Sequence, residues 1–170
     1  QHFDIDSSGA STPTTDFDSC YIEKDTLIAG FVYYKMVRPT SFITTQSIYY
    51  LKDSLHYLVE AGGKILFSSI DFSTVFDVSY MLASNPNDTV CRIERKMTDQ
   101  GFIASTPNGV FQTSNYQSKY FMYPNWTSAG AQRHMNTRYV KDVGIVVETL
   151  PFFAALPSYV ERRLVSYHLN

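Results

Sequence analysis

The sequence predicts a single α+β domain over residues 20–170, preceded by an extended arm at 1–19. Three observations carry that expectation. Residues 45–71, TQSIYYLKDSLHYLVEAGGKILFSSID, set Ile48, Leu51, Leu55, Leu58 and Val59 on one face of a helix. Residues 102–113, FIASTPNGVFQT, hold two apolar runs around Pro107-Asn108-Gly109, a hairpin signal. Residues 158–167 open with a Ser158/Glu161 capping box and continue with Val160, Leu164 and Tyr167 at helical spacing. The expected architecture is a mixed β-sheet with a βαβ-like N-terminal unit, an antiparallel hairpin-rich middle and a short C-terminal helix.

Residues 1–19 are rich in Asp, Ser and Thr, contain Gly9 and Pro13, and show no period, as in an arm ordered by a partner. The segments FDID and DFD lack the spaced ligands and closing Glu of a calcium loop. Residues 26–37, TLIAGFVYYKMV, read as a strand that Arg38-Pro39 ends. Thr44 or Thr45 caps the helix that follows, and Gly62-Gly63 stops it where a left-handed residue is wanted. Residues 64–70, KILFSSI, are a half-buried strand, set parallel to 27–34 by a right-handed crossover. This helix–GG–strand element resembles the one in flavodoxin-like and amidotransferase-like α/β folds. The resemblance implies a site at the carboxyl end of the strand, where Ser68, Ser69 and Asp71 lie. A cysteine nucleophile of that kind is flanked by glycine on a strand-to-helix turn. Cys91 sits in TVCRIERK, so that activity is not carried over.

Beyond residue 71 the chain reads mostly as strand. Residues 75–83 and 89–97 flank the turn cluster 85–88, and 119–123 form an aromatic strand before Pro124. Within 128–139, Ala131, Met135 and Tyr139 recur at helical spacing, weakened by Gly130 and Asn136. Residues 143–150, VGIVVETL, are a central strand. The run 151–157, PFFAALP, is an apolar connector, packed as a loop or presented to a partner.

Composition bears on function. Charged residues make up 18% and aromatics 15%, which suits a sheet-rich chain that hides much of its surface. A net charge of −2 gives no global pull toward nucleic acid or an anionic membrane. The charge is uneven: residues 1–25 carry −5 and the rest +3, an acidic arm on a basic body. No run is long and apolar enough to span a membrane, and none reads as a signal peptide. Tyr50 and Tyr57, seven apart, line the helix face opposite the aliphatic stripe and are candidate partner contacts. Tyr123 and Trp126, with Pro124, form a candidate aromatic patch.

Chemical motifs are sparse. His2, His56, His134 and His168 show no metal-ligand spacing, and dinucleotide, P-loop and hydrolase-elbow motifs are lacking, so no metal or cofactor is expected. The leading expectation is a non-enzymatic structural or interaction subunit of a larger assembly, in a virion or extracellular structure, with protein partners or self-association. The alternative is a secreted glycoprotein binding module with a Cys20–Cys91 disulfide and glycans at Asn87 or Asn125, the two sequon asparagines. The second alternative is a small hydrolase-like enzyme with a Ser68 or Ser69 nucleophile and His134 or His56 as base.

Overall fold

Alternation, not helical spacing, decides this architecture. The computed structural model describes residues 1–39, 46–84, 88–129, 132–150 and 159–168. The first strands are β1 (His2–Ile5) and β2 (Ser11–Pro13). Next come β3 (Tyr21–Ile28), β4 (Phe31–Pro39), β5 (Gln46–Ser54), β6 (Tyr57–Glu60) and β7 (Ile65–Ser68). The remainder are β8 (Asp77–Leu82), β9 (Thr89–Thr106), β10 (Gly109–Met122), β11 (Gln132–Val140), β12 (Gly144–Leu150) and β13 (Tyr159–Arg163). Among the described residues there is one short 3-10 segment, Pro124–Ala129, and no α-helix. The chain divides into two compact units, Asp16–Asp71 on the one hand and Gln1–Thr15 with Phe72–Asn170 on the other.

The unit Asp16–Asp71 is an antiparallel sheet in the order β3-β4-β5-β6-β7. This overturns the α+β expectation at its strongest point. Residues 46–68 form three strands, not a helix and a strand, and 26–37 form parts of two strands around the Ala29-Gly30 turn. Among the described residues of this unit there is no βαβ crossover, since each neighbouring pair is antiparallel. The resemblance to flavodoxin-like and amidotransferase-like folds falls with it. The supposed helical stripe is split by the fold: Leu51 is buried in β5, whereas Leu55 lies in the β5–β6 turn, 98% exposed. Gly63 does adopt a positive φ of 87°, but in a β-turn in which its N–H donates to the Glu60 carbonyl at 2.8 Å.

Leu55 has a φ of 58°. A side chain with a Cβ in that region costs roughly 1–2 kcal/mol, and full exposure gains nothing back from packing. Leu55→Gly is therefore expected to stabilise the fold by roughly 0.5–1 kcal/mol, the relieved strain less the added chain entropy. Urea unfolding measures it, and a glycine variant less stable than the parent contradicts the strain.

The other unit is an antiparallel sheet in the order β2-β1-β13-β12-β11-β10-β9-β8. The stretch 1–19 contributes β1, which pairs with β13, and β2, which pairs with β1. The intervening turn is closed by the Asp6 carboxylate, which accepts from the Ser8 N–H and Oγ and from the Ala10 N–H. These bonds hold the Asp6 pKa below the ordinary carboxylate range, the Ser8 hydroxyl first. The expected C-terminal helix is strand β13; Ser158, the supposed cap, lies outside the described residues. Glu161 and Arg163 pair at 2.8 Å across a two-residue step, a geometry that belongs to a strand face. Residues 132–139, within the ambiguous stretch, are also strand.

Alternation sorts this sheet into two faces. Cys91, Ile93 and Met97 of β9 line one face with Tyr116, Ser118 and Tyr120 of β10, Thr137 of β11 and Val146, Glu148 and Leu150 of β12, all buried. The opposite face carries Lys96, Lys119, His134, Asn136, Arg138, Val147, Thr149, Glu161 and Arg163 by the same register. The β9–β10 hairpin turns through Pro107-Asn108, with Thr106 opposite Gly109. Two register shifts, between Thr113 and Ser114 and between Asn115 and Tyr116, interrupt it, and Gly101 has a φ of 95°. Bulges of this kind bend and twist a strand. Here they bring Ala104, near the hairpin tip, into one apolar cluster with Val146 and Val147 of β12.

Candidate functional site

The bent hairpin creates a groove of about 630 Å³ between residues 102–105 and the charged face of β11, β12 and β13. Its lining includes Phe102, His134, Asn136, Arg138, Thr149, Tyr159, Glu161 and Arg163, with Gln132 and Arg133 at one end of β11. Its two facing guanidiniums, Arg138 and Arg163, are ion-paired with Asp99 and Glu161, and Arg133 pairs in register with Tyr120 on the other face. Alternation explains the placement: His134, Asn136 and Arg138 lie two apart on β11, and Glu161 and Arg163 two apart on β13.

Each main cation is held in place. Arg138 Nη1 donates to Asp99 Oδ1 at 3.1 Å and to Thr113 Oγ1 at 3.3 Å, and the guanidinium stacks 3.8 Å from the Phe102 ring centroid. Arg138 thus ties the sheet to the bend of the hairpin. Arg163 Nε donates to Glu161 Oε2 at 2.8 Å, and its guanidinium lies 4.5 Å from the Phe3 ring centroid. Stacking and pairing leave a planar fork with little rotamer freedom to lose on binding. Burial, then Lys119, lowers the His134 pKa, so its imidazole is neutral near pH 7. Burial first, then Glu161, raises the Tyr159 phenol, which stays a hydrogen-bonding hydroxyl.

The polar surface continues across β10 and β9, with Glu94 directly opposite Lys119. Lys119 and Gln117 lie directly beside His134 and Asn136, and Lys96 lies beside Gln117. Asn136 Oδ1 accepts from Asn115 Nδ2 at 2.8 Å and Gln117 Nε2 at 3.1 Å, which fixes its amide. Guanidinium, ammonium and amide donors of this kind recognise carboxylates spaced along a flexible chain.

The residues singled out from sequence lie elsewhere. Tyr50 and Tyr57 belong to β5 and β6 and are half-buried. Tyr57 donates to Asp71 Oδ2 at 3.2 Å, and its ring lies 3.9 Å from that of His56. Tyr123 and Trp126 are brought together at the 3-10 segment, where the Trp126 N–H donates to the Tyr123 carbonyl at 2.8 Å. Trp126 Nε1 also donates to Asp88 Oδ1 at 3.4 Å. Asn125 is exposed there, and Asn87 lies outside the described residues. Cys20 and Cys91 are thiols, the first exposed and the second buried.

Ser68 is fully buried, and its Oγ accepts from the Ile70 and Asp71 N–H groups, the bonding of a turn cap. Ser68 and His56 belong to the unit Asp16–Asp71 and His134 to the other unit. Among the described residues no group of three or more His, Cys, Asp or Glu is placed to hold a metal ion. Among the same residues no helix is long and apolar enough to cross a membrane.

Sequence reasoning missed the groove because its lining is drawn from β9, β11, β12 and β13, and part of β11 falls in a stretch whose spacing is ambiguous between helix and strand. The available signal was the positive balance beyond residue 25, with Arg133, Arg138 and Arg163 within it. Comparison with protein-family models, with curated proteins and with solved structures finds no match for this chain.

Proposed function

We propose that the chain is a non-enzymatic interaction subunit of a larger assembly, in a virion or extracellular structure, and that its groove holds an acidic segment of a partner protein. The observation that carries the reading is the pair of stacked guanidiniums, Arg138 and Arg163, in a groove with Asn136, Thr149 and Tyr159. An extended acidic peptide suits it, because carboxylates at alternate positions reach the sheet from one side. The stretch 16–25 is not that segment, because Tyr21–Asp25 belong to β3 and Glu23 pairs with Lys35, so the occupant is an acidic segment of another protein.

Anisotropy of a labelled Asp/Glu-rich peptide tests this. The chain is expected to bind it, with affinity falling as salt rises, because rim charges are screened. Thr149→Glu adds a like charge in the groove without touching either arginine and is expected to weaken binding by about tenfold. Binding indifferent to both salt and Thr149→Glu, or no binding at all, rejects the proposal.

A further inference from the structure

The sequon Asn125-Trp126-Thr127 lies where β10 leaves the eight-stranded sheet and enters the 3-10 segment Pro124–Ala129. Its surroundings are fixed by the neighbouring connection. Cys91 of β9 pairs with Met81 on one side and with Met122 on the other, so the β8–β9 connection and the 3-10 segment leave the sheet side by side. The Tyr123 N–H donates to the Val90 carbonyl at 3.0 Å. Trp126 Nε1 donates to Asp88 Oδ1 at 3.4 Å, a contact between residues 38 apart in the chain. Asp88 is itself the middle residue of the other sequon, whose Asn87 lies outside the described residues.

The residues on either side of Asn125 are therefore anchored, while Asn125 itself is presented to solvent. The Trp126 N–H closes a turn on the Tyr123 carbonyl at 2.8 Å, with Asn125 the third of its four residues. Asn125 is exposed, and among the described residues no hydrogen bond engages its side chain. Thr127 is exposed too, and its hydroxyl donates to the Pro124 carbonyl at 3.0 Å. Glycan transfer needs that hydroxyl to meet the asparagine amide, and one short surface turn opens at little cost. Tyr123, two residues before Asn125, is 41% exposed. The electron-rich face of an aromatic ring attracts the C–H face of a pyranose, so Tyr123 offers a platform for a first sugar.

We propose that Asn125 carries an N-linked oligosaccharide whose first sugar stacks on Tyr123. The side-chain nitrogen of Asn125 bonds to the anomeric carbon of an oligosaccharide carried on a polyprenyl pyrophosphate. The carbon–oxygen bond to the pyrophosphate breaks, the pyrophosphate leaves with the electron pair, and the amide gives up one proton to solvent. Donor and transferase belong to a secretory lumen, which agrees with an extracellular place for the chain. The proposal uses no residue of the acidic-segment groove, so its failure leaves that reading intact.

Peptide mass spectrometry of the full chain, isolated from the cells that make it, tests the proposal. Enzymatic release of N-glycans in heavy-oxygen water converts an occupied asparagine to a heavy-labelled aspartate. The tryptic peptide 120–133 is expected to carry that label at Asn125. Thr127→Ala leaves Asn125 in place, removes the hydroxyl and is expected to abolish the label, whereas Thr127→Ser is expected to retain it. Glycan release is also expected to lower the urea midpoint of the parent chain and to leave that of Tyr123→Ala unchanged. An unlabelled Asn125 in the parent overturns the proposal, as does a label that survives Thr127→Ala. Equal midpoint shifts in the parent and Tyr123→Ala overturn the stacking.

Discussion

Arg162→Met is expected to destabilise the unit containing the eight-stranded sheet by roughly 3–5 kcal/mol. Arg162 and Glu148 face each other on β13 and β12 within the buried layer. Arg162 Nη1 donates to Glu148 Oε2 at 3.2 Å, with the two side chains 13% and 4% exposed. Taking away the guanidinium leaves a carboxylate in a site that water scarcely reaches. The desolvation cost of Glu148 then loses the Arg162 charge that offsets it. Adding Glu148→Leu removes the stranded charge and is expected to recover most of the loss. Urea unfolding followed by fluorescence of Trp126, the single tryptophan and a member of this unit, reads both variants. A single variant within about 0.5 kcal/mol of the parent contradicts the role given to the pair.

Met97→Ala is expected to cost roughly 2–5 kcal/mol. Among the described residues Met97 is the largest side chain with no exposure at all, opposite Tyr116 at the middle of the β9–β10 pair. Truncation removes apolar contacts and leaves a cavity that a closely packed layer cannot fully close. Leu82→Ala is the control, because Leu82 is 54% exposed near the sheet's edge, on β8. Its effect is expected to stay within about 0.5 kcal/mol. Equal effects at the two positions contradict the assignment of the buried face.

The sequence revealed strands where alternation or turn chemistry was strong. Residues 143–150 read as a central strand, and β12 (Gly144–Leu150) is the fourth strand of its sheet, with Val146, Val147 and Leu150 buried. The Pro107-Asn108-Gly109 signal marks the hairpin turn. Residues 45–60 misled because a hairpin's two strands, joined by a short turn, can mimic a helical period over a few residues. Ile48 and Leu51 lie on opposite faces of β5, and Leu55 is in the turn. The segment's Ile48, Tyr49, Tyr50 and Tyr57 favour strand, and Asp53-Ser54 before the turn is turn chemistry.

The site was less legible than the fold. Tyr50 and Tyr57 stood out as a helical line that the backbone does not form. Tyr57 instead donates to Asp71. The groove depends on a bend at two register shifts and Gly101, and nothing in the alternation of β9 announces where its tip folds back. Arg138 and Arg163 become partners in one surface only through strand order, with β12 between their strands. Tertiary pairing of that kind leaves no local period in the sequence.

The most direct test of the acidic-segment groove is a backbone amide shift map of the full chain titrated with an Asp/Glu-rich peptide. Shifts are expected to cluster on residues lining the groove, such as Ser105, Asn136, Thr149 and Arg163, while the unit Asp16–Asp71 stays unmoved. Shifts confined to that unit, or no shifts at saturating peptide, contradict the assignment.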